Sequence, residues 1–401
     1  MNILLIHVKK NRLPDHVLKA LFPQFLTVIT EPGHLQAYGP GVDVRLVDNV
    51  QDLESLRAEV LTVLRNRRID RVFMPFELGQ AQAAFVREYF GIPGIGFTAA
   101  NALTNKYVMK LRLQEAGLPQ AAFAMAAGVD RIEHAGNEVG WPAVVKPAVG
   151  GGSLDIYKFD SAADARAFAA SHDADAIRKL TCPLVVEALV DIKTEYHCDG
   201  IVDGGEVRFA KASEYLVPVL GHGEQFGSRI LPDDDEATAQ ILELHRRAVA
   251  ATGLQDGVTH MEFFKTADGL LASEIACRPA GGGIPHAIAL QTGVDIWTAC
   301  LDMALGRAPK TAETPGDGPI AHWYLTVPPG RIVKLTDEDQ LRQIDGVVDV
   351  VTNFKVGDTV PTRQNSATAA MLVFAKADGR AEVDRLTKEI YGAYRVEVSS
   401  E

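Results

Sequence analysis

Two glutamates sit in apolar, strand-like surroundings: Glu262 in Met261-Glu262-Phe263-Phe264, and Glu274 in Ser273-Glu274-Ile275-Ala276-Cys277-Arg278-Pro279. Paired as a hairpin, the two stretches would put both carboxylates on one face. Close carboxylates repel, and burying them is costly unless they are paired or metal-bound. Mg²⁺ is a hard cation that takes carboxylate and phosphate oxygens together, with Mn²⁺ as the alternative occupant. Arg278, just beyond the second acid, would face the anion that such a cation holds.

Upstream, the apolar run Trp141-Pro142-Ala143-Val144-Val145-Lys146 ends on a lysine, and Gly150-Gly151-Gly152-Ser153 follows. Glycines let backbone N–H groups approach oxygen atoms, and a lysine adds a point charge, so this is the composition of a phosphate cradle. It is not a GxxxxGK[ST] loop, and no GxGxxG follows the first strand. A second glycine run, Gly281-Gly282-Gly283, follows Arg278-Pro279-Ala280. Its backbone would admit a substrate carboxylate at Gly282 and Gly283; a flexible turn is the other reading.

These groups need elements to carry them. Residues 3–8, 42–47 and 71–76 read as strands, and 51–68 and 78–90 as helices, which makes a small α/β layer with a mostly parallel sheet. Gly91 to Gly96 breaks that pattern. Residues 98–117 read as one helix with Lys106 and Lys110 a turn apart on one face. Strands are expected at 144–146, 184–189, 195–202, 206–212, 259–264 and 270–275, with helices near 162–170 and over 236–252. Residues 310–318 form a Pro, Thr and Gly-rich linker. Strand-like 320–327, 346–353 and 369–375 and a helix over 382–391 follow it.

In this order the segments resemble the ATP-grasp ligases, over about residues 101–308. Asn105-Lys106 with Lys110 is similar to the family's first lysine segment, and Lys146 to its second nucleotide lysine. Gly150 to Ser153 resembles the mobile loop over the phosphates. Val185-Val186-Glu187-Ala188-Leu189-Val190 resembles the hinge strand that meets adenine, which brings in Glu187, Ala188 and Val190. Glu195 falls where the family places a ribose-binding acid; a surface glutamate is the alternative. Glu262 and Glu274 match the two metal acids, and Arg278 the arginine that steadies the transferred group. His222 and Glu224, in Leu220-Gly221-His222-Gly223-Glu224-Gln225, lie where amino-acid ligases have a pocket-lining loop, so His222 is a substrate candidate. His260 reads as a satisfied core histidine, and His197 and Cys198 as strand residues without chemistry.

One departure stands out. The family usually has asparagine, a third metal ligand, two positions after the second glutamate; here it is Ala276. Water can fill that position, because Mg²⁺ usually keeps several waters, or the second metal site is weakened.

The resemblance implies an ATP-grasp fold of mixed α/β and α+β class. It has an N-terminal parallel α/β domain (1–97), a two-lobed ATP-binding core (98–181 and 182–309) and a small β-rich C-terminal piece (318–401). It also implies a Mg-ATP-dependent ligase that activates a carboxylate as an acyl phosphate and joins it to an amine. The small molecules joined read as amino acids. A bicarbonate-activating carboxylase and a nucleotide-binding protein without catalysis, the latter kept alive by Ala276, are the alternatives.

Composition agrees with a soluble enzyme of several domains: 401 residues, 47% hydrophobic and 23% charged. A net charge of −12 argues against a nucleic-acid partner, which would need clustered Lys and Arg. No apolar stretch reaches transmembrane length. Four cysteines without CxxC spacing suggest neither a disulfide framework nor a zinc knuckle, so a reducing cytoplasm is expected. A homodimer is the default assembly.

Overall fold

The computed structural model describes residues 1–8, 13–32, 38, 41–152, 154–219, 225–314, 316, 318–362, 364 and 368–399. The N-terminal sequence forms an all-parallel sheet in the order Asp43–Leu46, Phe25–Thr30, Asn2–His7, Arg71–Phe73. Leu4, Leu5, Ile6, Val28 and Ile29 are wholly buried in one core with Val17, Leu56, Val60 and Val86 of the flanking helices Asp15–Leu21, Leu53–Leu64 and Gln80–Phe90. The expected alternation lacks helix Asp15–Leu21 and strand Phe25–Thr30. A parallel strand covered on both faces carries no polar alternation, so its period of two is lost.

Residues 97–115 make two helices, Phe97–Ala102 and Lys106–Glu115, where the apolar pattern predicts one. Asn105 separates them: its side-chain oxygen accepts the N–H groups of Tyr107 and Val108 and so caps the second helix. The break has a consequence for the site. Lys106 becomes the first helical residue, and its backbone N–H donates to the Ala148 carbonyl at 2.7 Å. The start of this helix is thereby tied to the end of the strand that carries Lys146. That strand, Ala143–Pro147, lies in a four-stranded antiparallel sheet ordered Phe123–Ala126, Leu184–Ala188, Ala143–Pro147, Tyr157–Phe159.

The largest layer is an eight-stranded antiparallel sheet. Its order is Gly269–Ala276, Gly257–Thr266, Thr194–Asp203, Glu206–Tyr215, Gln225–Ile230, Ile320–Leu325, Met371–Lys376, Val347–Thr352. Three strands of the C-terminal segment thus continue the sheet that carries the two acids. A further three-stranded sheet joins Thr359–Val360, Gly330–Leu335 and Val396–Ser399. Helix Glu236–Thr252, capped by Asp235 and ended at Gly253 with φ +72°, packs its buried Ile241, Ala248 and Val249 with Met261 and Phe263 of the sheet.

Candidate active site

Strands Gly257–Thr266 and Gly269–Ala276 pair with Glu262 directly opposite Glu274. Met261, Phe263 and Ile275 are wholly buried in the core behind them, which leaves the two acids on the open side of the sheet. The register shifts between Glu262 and Phe263. Such a bulge re-aims a side chain and is common beside active sites.

Cations converge on this pair from three other elements. Lys106 Nζ stands 2.8 Å from Glu274 Oε1 and 3.5 Å from Glu77 Oε1, and it donates to the Gly150 carbonyl at 2.6 Å. Arg278 donates through Nε at 2.9 Å and Nη2 at 2.8 Å to Glu77 Oε2. Lys146 Nζ and Lys110 Nζ lie 2.7 and 2.9 Å from the two oxygens of Glu187. Glu77 and Glu187 therefore each serve two cations.

Burial alone would raise the Glu187 carboxyl, but Lys110 and Lys146 overcome it and bring it down to about 2. The two lysines share that one charge unequally. Burial and the charge of Lys146 bring Lys110 below its ordinary range. Lys146 gains enough from Glu187 and Glu274, against burial, to rise above its own. Lys110 is the more deeply buried of the two, with 1% of its side chain exposed against 13%, which accounts for the difference. Burial likewise opposes the charge on Glu77, and Arg278 with Lys106 more than offsets it, so Glu77 titrates low. Lys106 and Arg278 are both raised, against burial, by the acids beside them.

Glu195 is 3% exposed, which rules out the surface reading. One of its oxygens accepts the Val219 N–H at 2.7 Å. Burial and the charge of Glu262 push its carboxyl up to about 8. Beside it runs a buried polar chain. His197 Nε2 contacts Ser228 Oγ at 2.6 Å, and its Nδ1 contacts Asp199 at 2.6 Å. Asp199 also bonds His260 Nδ1 at 2.9 Å, and His260 Nε2 lies 3.6 Å from Glu262 Oε1. Burial opposes charge on both partners of the second bond. Even so, Asp199 is held far below the usual carboxylate range by the two imidazoles, and His260 is raised to about 9 by Asp199. His260 is thus a satisfied buried histidine that also faces a site acid.

Gly150 and Gly151 lie under the lysines and Glu77: a Cβ on Gly151 would come within 3.0 Å of Glu77 Oε2. Gly152 has φ +70°. Ala188 ends strand Leu184–Ala188, and Val190 lies in the connection to Thr194–Asp203, between the two antiparallel sheets. Gly282 and Gly283, with φ +62° and +88°, lead into helix Ile284–Thr292. They form an ordered entry to a helix N-terminus, a backbone geometry suited to an anion. A Cβ on Gly282 would fall 1.4 Å from Tyr324 Oη. Ser153, His222 and Glu224 lie outside the described residues.

The sequence reading misses Glu77 and the Asp199–His260 pair. Glu77 follows strand Arg71–Phe73 at its carboxyl end, the side of a parallel sheet where ligands gather, so its position carried a usable signal. Asp199 and His260 carried less, because their meeting depends on strand Gly257–Thr266 pairing with strand Thr194–Asp203.

Comparison with known proteins agrees with this geometry. A sequence model of the ATP-grasp domain matches residues 111–292, and one of the L-amino acid ligase C-terminal domain 2 matches residues 323–399. The fold and site define an ATP-dependent ligase of the C–N bond-forming kind. The chain is 30% identical over 382 residues to an L-arginine-specific L-amino acid ligase of Bacillus subtilis, spanning 94% of this chain and 92% of that one. In fold it is similar to an L-amino acid ligase from Bacillus licheniformis (TM-score 0.76, 18% identity, 100% and 99% of the two chains). It is also similar to a carboxyaminoimidazole ribonucleotide synthase from Aspergillus clavatus complexed with ATP (TM-score 0.71, 15% identity, 98% of each). The chain belongs to the L-amino acid ligase family of ATP-grasp enzymes: it joins a small-molecule carboxylate to an amine at the expense of ATP.

Proposed function

We propose that both substrates are amino acids and that the product is a dipeptide, formed through an acyl phosphate with release of ADP and phosphate. The observation that carries this reading is the gathering of Lys106 on Glu274, Lys146 on Glu187 and Arg278 on Glu77 around the paired acids Glu262 and Glu274. The acids offer hard oxygen donors on one face, with Lys106 already bridging to Glu274, so a divalent cation fits there. Bound between them, Mg²⁺ would neutralise charge on the β- and γ-phosphate oxygens.

Lys106 and Lys146 would meet the α- and β-phosphates, with Glu187 and Lys110 holding Lys146 in place. Glu187, Ala188 and Val190 belong to the hinge that receives adenine, and Glu195 to the ribose side. Gly150 to Gly152, with Ser153, would close over the phosphates and keep water from the acyl phosphate. Arg278 would exchange Glu77 for the transferring phosphoryl group, whose oxygens its planar fork can hold by two bonds. The backbone at Gly282 and Gly283 would take a substrate carboxylate, and His222 would line the same pocket. In this reading 1–97 is the N-terminal domain, 98–181 and 182–309 are the two lobes, and 318–401 is the C-terminal piece. The four free cysteines suit a reducing cytoplasm, and a homodimer is the default assembly.

Glu274→Gln and Arg278→Ala should each abolish amino-acid-dependent ADP release while the variants keep wild-type circular dichroism. Unchanged turnover in both would refute the assignment.

A further inference from the structure

Ala276 lies directly opposite His260 on the paired strands that carry Glu262 and Glu274. Directly opposed side chains on an antiparallel pair share a face. The small alanine leaves room on that face, and the His260 ring stands there, 6% exposed, with Nε2 3.6 Å from Glu262 Oε1. Its other nitrogen is committed to Asp199 Oδ1 at 2.9 Å. Asp199 is in turn fixed by His197, whose far nitrogen contacts Ser228.

A carboxylate bound to one imidazole nitrogen sets the tautomer that presents the other nitrogen's lone pair, the arrangement that supports histidine as a metal ligand. We propose that His260 Nε2 serves as a ligand, beside Glu262, for the cation of the nucleotide site, with Asp199 and His197 as its support. This rests on the reading of Glu262 and Glu274 as the metal acids.

The geometry is close to what coordination requires. Neighbouring donors of a six-coordinate ion with ~2.1 Å bonds stand roughly 3.0 Å apart, so Nε2 and Oε1 need to close by about half an ångström. A ligating Nε2 must present its lone pair, so any proton it carries leaves to solvent when the cation binds. The triad His197, Asp199 and His260 is itself close enough to share an ion, with ligand atoms within 4.8 Å. Its bonds at 2.6 and 2.9 Å are already made internally, which suits a supporting role. An imidazole is a softer donor than the oxygens Mg²⁺ favours, so the site should tilt toward transition ions such as Mn²⁺ or Co²⁺.

Pulsed electron paramagnetic resonance on the enzyme with Mn²⁺ and the β,γ-methylene analogue of ATP tests this. The expected spectrum shows phosphorus coupling together with a nitrogen coupling that changes when the protein carries ¹⁵N-histidine. His260→Gln should lose the nitrogen coupling and keep the phosphorus coupling. Ala276→Asn, which adds an oxygen donor opposite His260, should weaken the nitrogen coupling. Asp199→Asn should weaken Mn²⁺ binding by about ten- to a hundredfold. Phosphorus coupling without a label-sensitive nitrogen, or with one that survives in His260→Gln, overturns the inference and leaves the nucleotide–metal site standing. Absence of phosphorus coupling contradicts the site itself.

Discussion

Glu187→Gln keeps the shape of the side chain and removes the charge that Lys110 and Lys146 share at 2.9 and 2.7 Å. The carboxyl is lowered from 4.5 to about 2 in the folded protein. One pKa unit corresponds to about 1.4 kcal/mol, so the charge contributes about 3 kcal/mol of stability at neutral pH. Because the folded value is depressed, that contribution is complete above the ordinary carboxylate range. It is lost as the pH falls from about 4.5 toward 2. Urea denaturation followed by tryptophan fluorescence should therefore show the variant less stable by about 3 kcal/mol at neutral pH. The two proteins should converge in acid, where the wild-type carboxyl is also neutral. A nonhydrolysable ATP analogue should narrow the neutral-pH gap, since its phosphates give Lys146 a new anion. A gap under about 1 kcal/mol at neutral pH, or one that persists undiminished near pH 2, would refute the claim that Glu187 balances the two lysines.

Other consequences are equally specific. Gly282→Ala puts a Cβ 1.4 Å from Tyr324 Oη at a residue with φ +62°. It should cost about 1–3 kcal/mol in thermal denaturation, and Tyr324→Ala in the same chain should recover part of the loss. Asn105→Ala removes the cap that places Lys106, so stability should fall by about 1 kcal/mol and the Kd for ATP, read by calorimetry, should rise. A loss of stability with unchanged ATP affinity would separate the cap from the position of Lys106.

Much of the site was legible because it is local. Glu262 and Glu274 meet through a hairpin, so alternation and register place them together without knowledge of the rest of the fold. Lys146 was legible because a lysine at the end of an apolar strand before a glycine run has few structural explanations. Glu77 was not legible in the same way: its partner Arg278 lies 201 positions away, and only the docking of the N-terminal layer on the large sheet joins them. Asp199 and His260 are separated by 61 positions and by the intervening strands and helix. Strand Gln225–Ile230 escaped because Gly227 interrupts its apolar pattern, yet the fold requires glycine there, since a Cβ would fall 2.3 Å from the His322 carbonyl oxygen. The break at Asn105 was readable in principle as a cap, but the apolar period runs across it and hides the boundary.

In the proposed reaction ATP activates an amino-acid carboxylate and an amine then displaces phosphate. Amino acids labelled with ¹⁸O in the carboxyl group, supplied with Mg-ATP, test it most directly when both released phosphate and product are weighed by mass spectrometry. The expected products are ADP, phosphate carrying one ¹⁸O, and a new mass equal to two amino acids less one water. Unlabelled phosphate, or AMP in place of ADP, would contradict it.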